Sequence, residues 1–238
     1  MTVTPEVRRL NTMFKQIANS FGFQEIPKKY LVLDCETSGV DRTRDIIIQV
    51  GFCAVEDGKS QNMGAFLVKR PPGAVRNWEM TTKITRITQA DLDAAEPPEK
   101  VFPMFMNLIQ TWLDNGHLLV GHNFIQFDLP FFNREFAAIK EPRRIPAEKC
   151  LDTGMMVKAS RINMQMKQGE SFRSFASRVN GIRRRGLLWS LDKYCFDEYE
   201  LSKLGVDRDE AHDAGYDCFM THLVLEAMRK RYEESKRG

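Results

Sequence analysis

Tyr30-Leu31-Val32-Leu33-Asp34-Cys35-Glu36-Thr37-Ser38-Gly39 is the stretch around which the rest of the chain organises itself. A short apolar run of this kind, closed by turn residues, reads as a buried strand. Successive side chains on a strand point to opposite faces, so Asp34 and Glu36 share one. Two carboxylates side by side repel each other, and an apolar strand offers no relief, whereas a bound cation does. Hard oxygen donors suit Mg²⁺ or Mn²⁺. Gly39 lets the chain turn away at once. Asp-x-Glu alone arises often by chance, and the plain alternative is a strand end with two solvated acids.

Working outward, residues 46–55 and 62–69 read as two further strands, with Asp57-Gly58 as the hairpin turn between the pair. Upstream, residues 5–21 place Val7, Leu10, Met13, Phe14, Ile17 and Ala18 on one helical stripe, as a docked N-terminal extension would. Downstream, helices are expected over residues 89–95, 101–114, 129–139, 189–195 and 209–232, with another starting at Asp152. Leu118-Leu119-Val120 is a short buried strand. The charged tail after Met228 is expected to fray. Hairpin strands followed by alternating helices and strands predict an α/β domain with a mixed sheet. Such sheets gather their binding sites at the carboxyl ends of strands.

The 238 residues suit one core. The expected division is a helical extension over 1–28 and a single domain over 29–238, with a basic insert at 158–186. No stretch approaches the roughly 20 apolar residues of a membrane span. The first residues lack the apolar core of a secretory signal, so the expected compartment is the cytoplasm. Five scattered cysteines without a CxxC indicate neither a disulfide framework nor a zinc site. Net charge is +3 over the chain. Lys158 to Arg185 holds eight basic residues and one acid, so the remainder is acidic. That asymmetry suits a body that holds divalent cations and an arm that meets a polyanion; a solvated loop fits the charge equally well.

Two later segments carry further acids. Gly121-His122-Asn123-Phe124-Ile125-Gln126-Phe127-Asp128 leaves the Leu118 strand and opens a helix, where Asp128 is also a plain N-cap residue. His212-Asp213-Ala214-Gly215-Tyr216-Asp217 enters the last helix. Five helical residues turn through about 500°, so His212 and Asp217 would not share a helix face. His212 is therefore expected on the approach to the helix and Asp217 in its first turns. A histidine outside the helix can lean over a metal site as a general base, since its ordinary pKa of about 6.5 suits neutral pH.

Together, Asp34, Glu36, Asp128, His212 and Asp217 resemble, in order and setting, the DEDDh branch of the DnaQ-like 3′→5′ exonucleases, over roughly residues 30–225. The resemblance implies an RNase H-like fold, with a mixed five-stranded sheet and flanking helices. It implies two Mg²⁺ or Mn²⁺ ions held by Asp34, Glu36, Asp128 and Asp217, with His212 deprotonating the attacking water. Thr37 and Ser38 lie where the family holds the terminal nucleotide, and His122 and Thr85 are candidates for the same pocket. Thr85-Arg86-Ile87-Thr88 stands where many members have a His-Gly-Ile run. Asp152-Thr153 resembles a strand-end pair common in the family, with Asp152 read as a helix cap.

The expected activity is 3′→5′ exonucleolytic release of nucleoside monophosphates from single-stranded or frayed DNA, as in proofreading or trimming. The alternatives are an RNA or oligoribonucleotide exonuclease, and a non-catalytic module that binds nucleic acid or docks on a DNA polymerase. Nothing in the sequence reads a 2′-hydroxyl. Arg183, Arg184 and Arg185, with Phe172 and Phe175 nearby, are the expected grip on phosphates and bases. The oligomeric state is left open.

Overall fold

The computed structural model describes residues 5–179 and 211–234. Its centre is a five-stranded sheet in the order β3-β2-β1-β4-β5. The strands are β1 (Tyr30–Thr37), β2 (Ile47–Glu56), β3 (Lys59–Leu67), β4 (Leu118–Gly121) and β5 (Cys150–Asp152). β1, β2 and β3 pair antiparallel, while β4 runs parallel to both β1 and β5. Asp57 and Gly58 both take positive φ, at 51° and 72°, so the β2–β3 turn has the twist that a two-residue hairpin needs.

The helices are α1 (Pro5–Ser20), α2 (Trp78–Thr85), α3 (Gln89–Ala94), α4 (Pro98–Asp114), α5 (Asp128–Ala138), α6 (Thr153–Arg161), α7 (Phe172–Val179) and α8 (Ala214–Glu234). They cover both faces of the sheet, which is why β1 reads as a continuous apolar run. On one face, Leu31, Leu33, Val50, Phe52 and Leu119 pack with phenylalanines of α4 and α5. Phe105 and Phe132 stack there with centroids 5.6 Å apart. On the other face, Tyr30, Val32, Cys53 and Val120 pack with residues from α1, α6, α7 and α8. The buried stripe of α1, Met13 to Ala18, is part of that same core.

Four expectations change. The last helix begins at Ala214 rather than 209, because Asp213 caps it. Its tail is docked: Arg229 donates to the carbonyls of Ile26 and Pro27, and Tyr232 stacks on Phe14 at 5.2 Å. α2 and α7 are helices that the periodicity did not predict. Phe172 and Phe175 are buried in the core, so they cannot stack on bases. Within the basic insert Lys158 is buried, and Arg178 is held by Glu170 at 2.7 Å and lies over Phe175. Arg183, Arg184 and Arg185, and the helix expected at 189–195, lie outside the described residues. Among the described residues no helix is long and apolar enough to cross a membrane.

Candidate active site

β1 delivers Asp34 and Glu36 to the face covered by α8. Across the antiparallel pairing Asp34 faces Gly51, and Glu36 faces Gln49. Both β2 residues serve the helix end. A Cβ on Gly51 would lie 2.2 Å from the carbonyl carbon and oxygen of Ala214, so only glycine lets α8 come down onto the strand. Gln49 then ties it there: its Nε2 donates to Asp213 Oδ2 at 2.8 Å, and its Oε1 accepts from the Ala214 N–H at 3.0 Å. Asp213 Oδ1 accepts from the Tyr216 N–H at 3.0 Å, which satisfies one of the helix's first donors.

This anchoring puts Asp217 in the first turn, above the β1 acids. His212 stands before the cap with φ of 72°, off the helix axis, and its N–H donates to Asp217 Oδ1 at 3.2 Å. Ligand atoms of Glu36, His212 and Asp217 all lie within 4.8 Å of one another. His212 is exposed while Glu36 is buried, so the imidazole leans over the acids from the solvent side.

Asp128 arrives from the opposite side as the first residue of α5. The Cys35 N–H and the Cys35 thiol both donate to its Oδ1, each at 3.2 Å. The turn leading to it is held by Asp152. Oδ1 of Asp152 accepts from the N–H groups of Asn123 at 2.9 Å and Met155 at 3.0 Å, and Oδ2 accepts from Ile125 at 3.0 Å. Asp152 therefore caps α6, as the sequence suggested, and also clamps the segment that carries Asp128. Because it is fully buried, Asp152→Ala leaves three donors without that acceptor. The expected loss of stability is roughly 3–5 kcal/mol, read as a lower urea midpoint at unchanged slope.

The five side chains share a cleft of about 320 Å³ with His122, Asn123 and Phe127. No described lysine or arginine pairs with any of its four acids. Burial pushes the Asp34 and Glu36 carboxyls well up, and the neighbouring acids push them further. Burial likewise raises Asp128 to about 7, against the hydrogen bonds from Cys35. Asp217 is also raised to about 7 by burial, against the His212 N–H bond. Burial, and then the charge of Arg86, lower the pKa of His212, so its imidazole is neutral at pH 7. Four converging hard oxygen donors without a compensating cation are what a divalent metal site needs.

These raised values have a measurable consequence. A carboxyl with a folded pKa above its unfolded value of about 4 gives stability that is fully present below that value. That stability is lost as pH rises through the folded pKa of about 7. In EDTA, Tm is therefore expected to fall between about pH 5 and pH 8 through these groups. Mg²⁺ is expected to raise Tm more at pH 8 than at pH 5.5, because the acids must be ionised to hold it. Calorimetry at the two pH values, with and without Mg²⁺, checks both signs.

The other expected pocket residues divide. His122 lines the cleft, and its Nδ1 donates to Thr153 Oγ1 at 2.9 Å, since that hydroxyl is itself committed to the Gly121 carbonyl. Thr37 and Ser38 shape the turn after β1: Thr37 Oγ1 donates to Gly39 O at 2.6 Å, and Ser38 Oγ accepts from Ile46 N–H at 3.1 Å. Thr85 does not line the cleft. It is buried, and its hydroxyl closes α2 by donating to Thr81 O and accepting from Ile87 N–H. Gln49, Gly51, Asp213 and Cys35 were not singled out from sequence. Gln49 had left a signal as the lone polar side chain in Ile46-Ile47-Ile48-Gln49-Val50-Gly51-Phe52.

Comparison with known proteins agrees with this geometry. Residues 31–225 match the RNase_T family, described as Exonuclease. Two DNA polymerase III proteins of PolC type are similar: that of Mycoplasma pneumoniae is 30% identical over 110 residues, and that of Thermotoga petrophila 31% over 102. The aligned regions cover 45% and 43% of this chain and 7% of each polymerase. Among solved structures, the E. coli exonuclease I–ssDNA complex with zinc superposes with a TM-score of 0.54 at 18% identity, covering 89% of this chain and 42% of that one. Exonuclease I of Methylocaldum szegediense gives 0.57 at 19%, covering 87% and 41%. The chain thus spans less than half the length of these relatives, and at such identities they share its fold. With the family match running from β1 into α8 and the acids converging in one cleft, the chain belongs to the RNase_T exonuclease family, among the DnaQ-like 3′→5′ exonucleases of the DEDDh type.

Proposed function

We propose that this chain hydrolyses phosphodiester bonds at the 3′ end of single-stranded or frayed DNA and releases nucleoside monophosphates. The observation that carries the reading is the meeting of Glu36, His212 and Asp217 within 4.8 Å, in one cleft with Asp34 and Asp128. Asp34, Glu36, Asp128 and Asp217 would hold two Mg²⁺ or Mn²⁺ ions. A bound pair of this kind supplies Lewis acidity for the attacking and leaving oxygens of an in-line displacement. The chain's own part is to place and to exchange protons. His212, neutral and free of the helix, accepts a proton from the water that attacks phosphorus. His122, which lines the cleft, contributes to the wall that receives the terminal nucleotide.

DNA is favoured because solved relatives of this fold carry ssDNA or oligonucleotides in their descriptions. The similarity to two DNA polymerase III proteins of PolC type supports proofreading beside a DNA polymerase as the proposed setting. The test is a 5′-labelled oligonucleotide incubated with Mg²⁺, with Mn²⁺ or with EDTA. A ladder shortened from the 3′ end that vanishes in EDTA is expected. No ladder under any metal would leave a non-catalytic binding module. Matched RNA and DNA strands in the same assay report the sugar preference.

A further inference from the structure

The loop of residues 38–46, between β1 and β2, is bound to α5 and to itself. Arg134 of α5 donates from Nη1 to Arg42 O and from Nη2 to Asp45 O, and its guanidinium lies over the Phe131 ring at 5.2 Å. The buried Asp45 gathers the loop: Oδ2 accepts from the Asp41 N–H at 2.8 Å, and Oδ1 from Arg76 Nη2 at 2.9 Å. Asp41 Oδ1 accepts from the Thr43 N–H at 2.9 Å. The backbone is thus fixed on both sides of Arg42. From it the exposed Arg42 side chain reaches across, and its Nη1 donates to Gln126 O at 3.0 Å. Gln126 belongs to the turn between β4 and α5, where the N–H groups of Gln126 and Phe127 donate to Asn123 O at 3.3 and 3.0 Å. Asn123 and Phe127 line the cleft. The guanidinium is therefore tied directly to a turn of the cleft wall. Arg44, Arg76 and Arg134 each have a carboxylate within 4 Å, at Asp41, Asp45 and Glu135. Arg42 has none among the described residues.

Resting on the exonuclease reading above, we propose that Arg42 binds a backbone phosphate of the strand on the 5′ side of the scissile bond, at the Asn123–Phe127 wall of the cleft. Four acids repel a phosphodiester backbone, and a cation on the wall beside them offsets that repulsion. The scissile phosphate belongs with the acids, so a guanidinium tied to the wall outside them is placed for the next phosphates along. One of its N–H groups holds Gln126 O, which orients the side chain, and the remaining donors have no acceptor among the described residues. A planar fork held in this way matches two phosphate oxygens at once, which an ammonium cannot do. The contact carries no base preference, as suits an enzyme that must accept every nucleotide in turn.

The test compares R42A, R42Q and R42K with the wild type, in the full chain, on two substrates. One is a labelled DNA decamer; the other is a dinucleotide without a 5′ phosphate, whose single phosphodiester is the scissile one. On the decamer R42A is expected to raise KM about tenfold with kcat changed less than about threefold. The plot of log(kcat/KM) against log salt should become shallower by about 0.7. On the dinucleotide R42A should match the wild type within about twofold, because the phosphate that Arg42 meets is missing. R42Q keeps an N–H for Gln126 O without the charge, and should lose as much on the decamer as R42A. R42K should recover part of the affinity, since it keeps the charge without the fork. Anisotropy of the decamer in Ca²⁺ reads the contact whether or not the strand is cut. Equal losses on both substrates, an unchanged salt slope in R42A, or R42Q indistinguishable from the wild type overturns the assignment and leaves Arg42 as a tether of the turn. Salt-sensitive binding that depends on Arg42 in a wild-type protein that cuts nothing would count against the exonuclease reading alone.

Discussion

Asp34→Ala is expected to slow 3′ shortening by about 10³-fold or more while leaving the metal-free protein no less stable than the wild type. The two halves of that expectation have one cause. Asp34 is wedged beside Glu36, Asp128 and Asp217, and burial together with these neighbours opposes its ionisation. In EDTA the charge is a burden, so removing it relieves repulsion. In the proposed reaction the same carboxylate would be a metal donor, and losses of this kind run to several kcal/mol of transition-state stabilisation. Asp34→Asn separates charge from shape. It too should lose the activity, and in EDTA at pH 8 its Tm should exceed the wild type's. A variant that lost Tm in EDTA and kept its rate would show that Asp34 is a structural residue only.

Gly51→Ala is the second large effect, and it touches no charge. The added methyl would meet the Ala214 backbone at 2.2 Å, and neither partner is a flexible side chain. The start of α8 must therefore lift from β2 by about 1 Å. The lift stretches both Gln49 bonds to the helix end and carries His212 and Asp217 away from Glu36. A displacement of that size is expected to cost about 10²-fold in rate. Because α8 also packs its buried face into the core, Tm should fall as well. Gln49→Ala, which removes the tie without the clash, should give a milder version of the same loss. If Gly51→Ala matched the wild type in rate at saturating Mg²⁺, the descent of the helix onto the strand would not be what sets the cleft.

These two residues also mark where the sequence was legible. Asp34 and Glu36 stood out because strand alternation is a local rule, and a buried acid violates local expectation. The placement of His212 ahead of the helix followed from helical geometry in the same way. Gly51 could not be read so, since its meaning lies in a helix 163 residues further on, at Ala214. Asp213 was hidden by its rank as an ordinary N-cap. α2 was missed because Thr81, Thr82 and Thr85 depress helix propensity. Those hydroxyls make bonds within the helix and to the β1 turn that propensity does not count. Phe172 and Phe175 looked like an aromatic face among arginines. The partners that bury them, such as Phe21 at 5.5 Å from Phe172, come from the other end of the chain.

The left-handed backbone at His212 divides the cleft into a stationary part and a movable one. The acids arrive on β1, α5 and α8, elements packed into the two cores. The imidazole arrives on one exposed residue ahead of a capped helix, so rotation about its side-chain bonds can swing the ring while the backbone N–H keeps its bond to Asp217 Oδ1. Rotation of an exposed side chain takes roughly picoseconds to nanoseconds, well inside a turnover of milliseconds or longer. The ring can therefore leave the cleft and return while the four acids stay assembled.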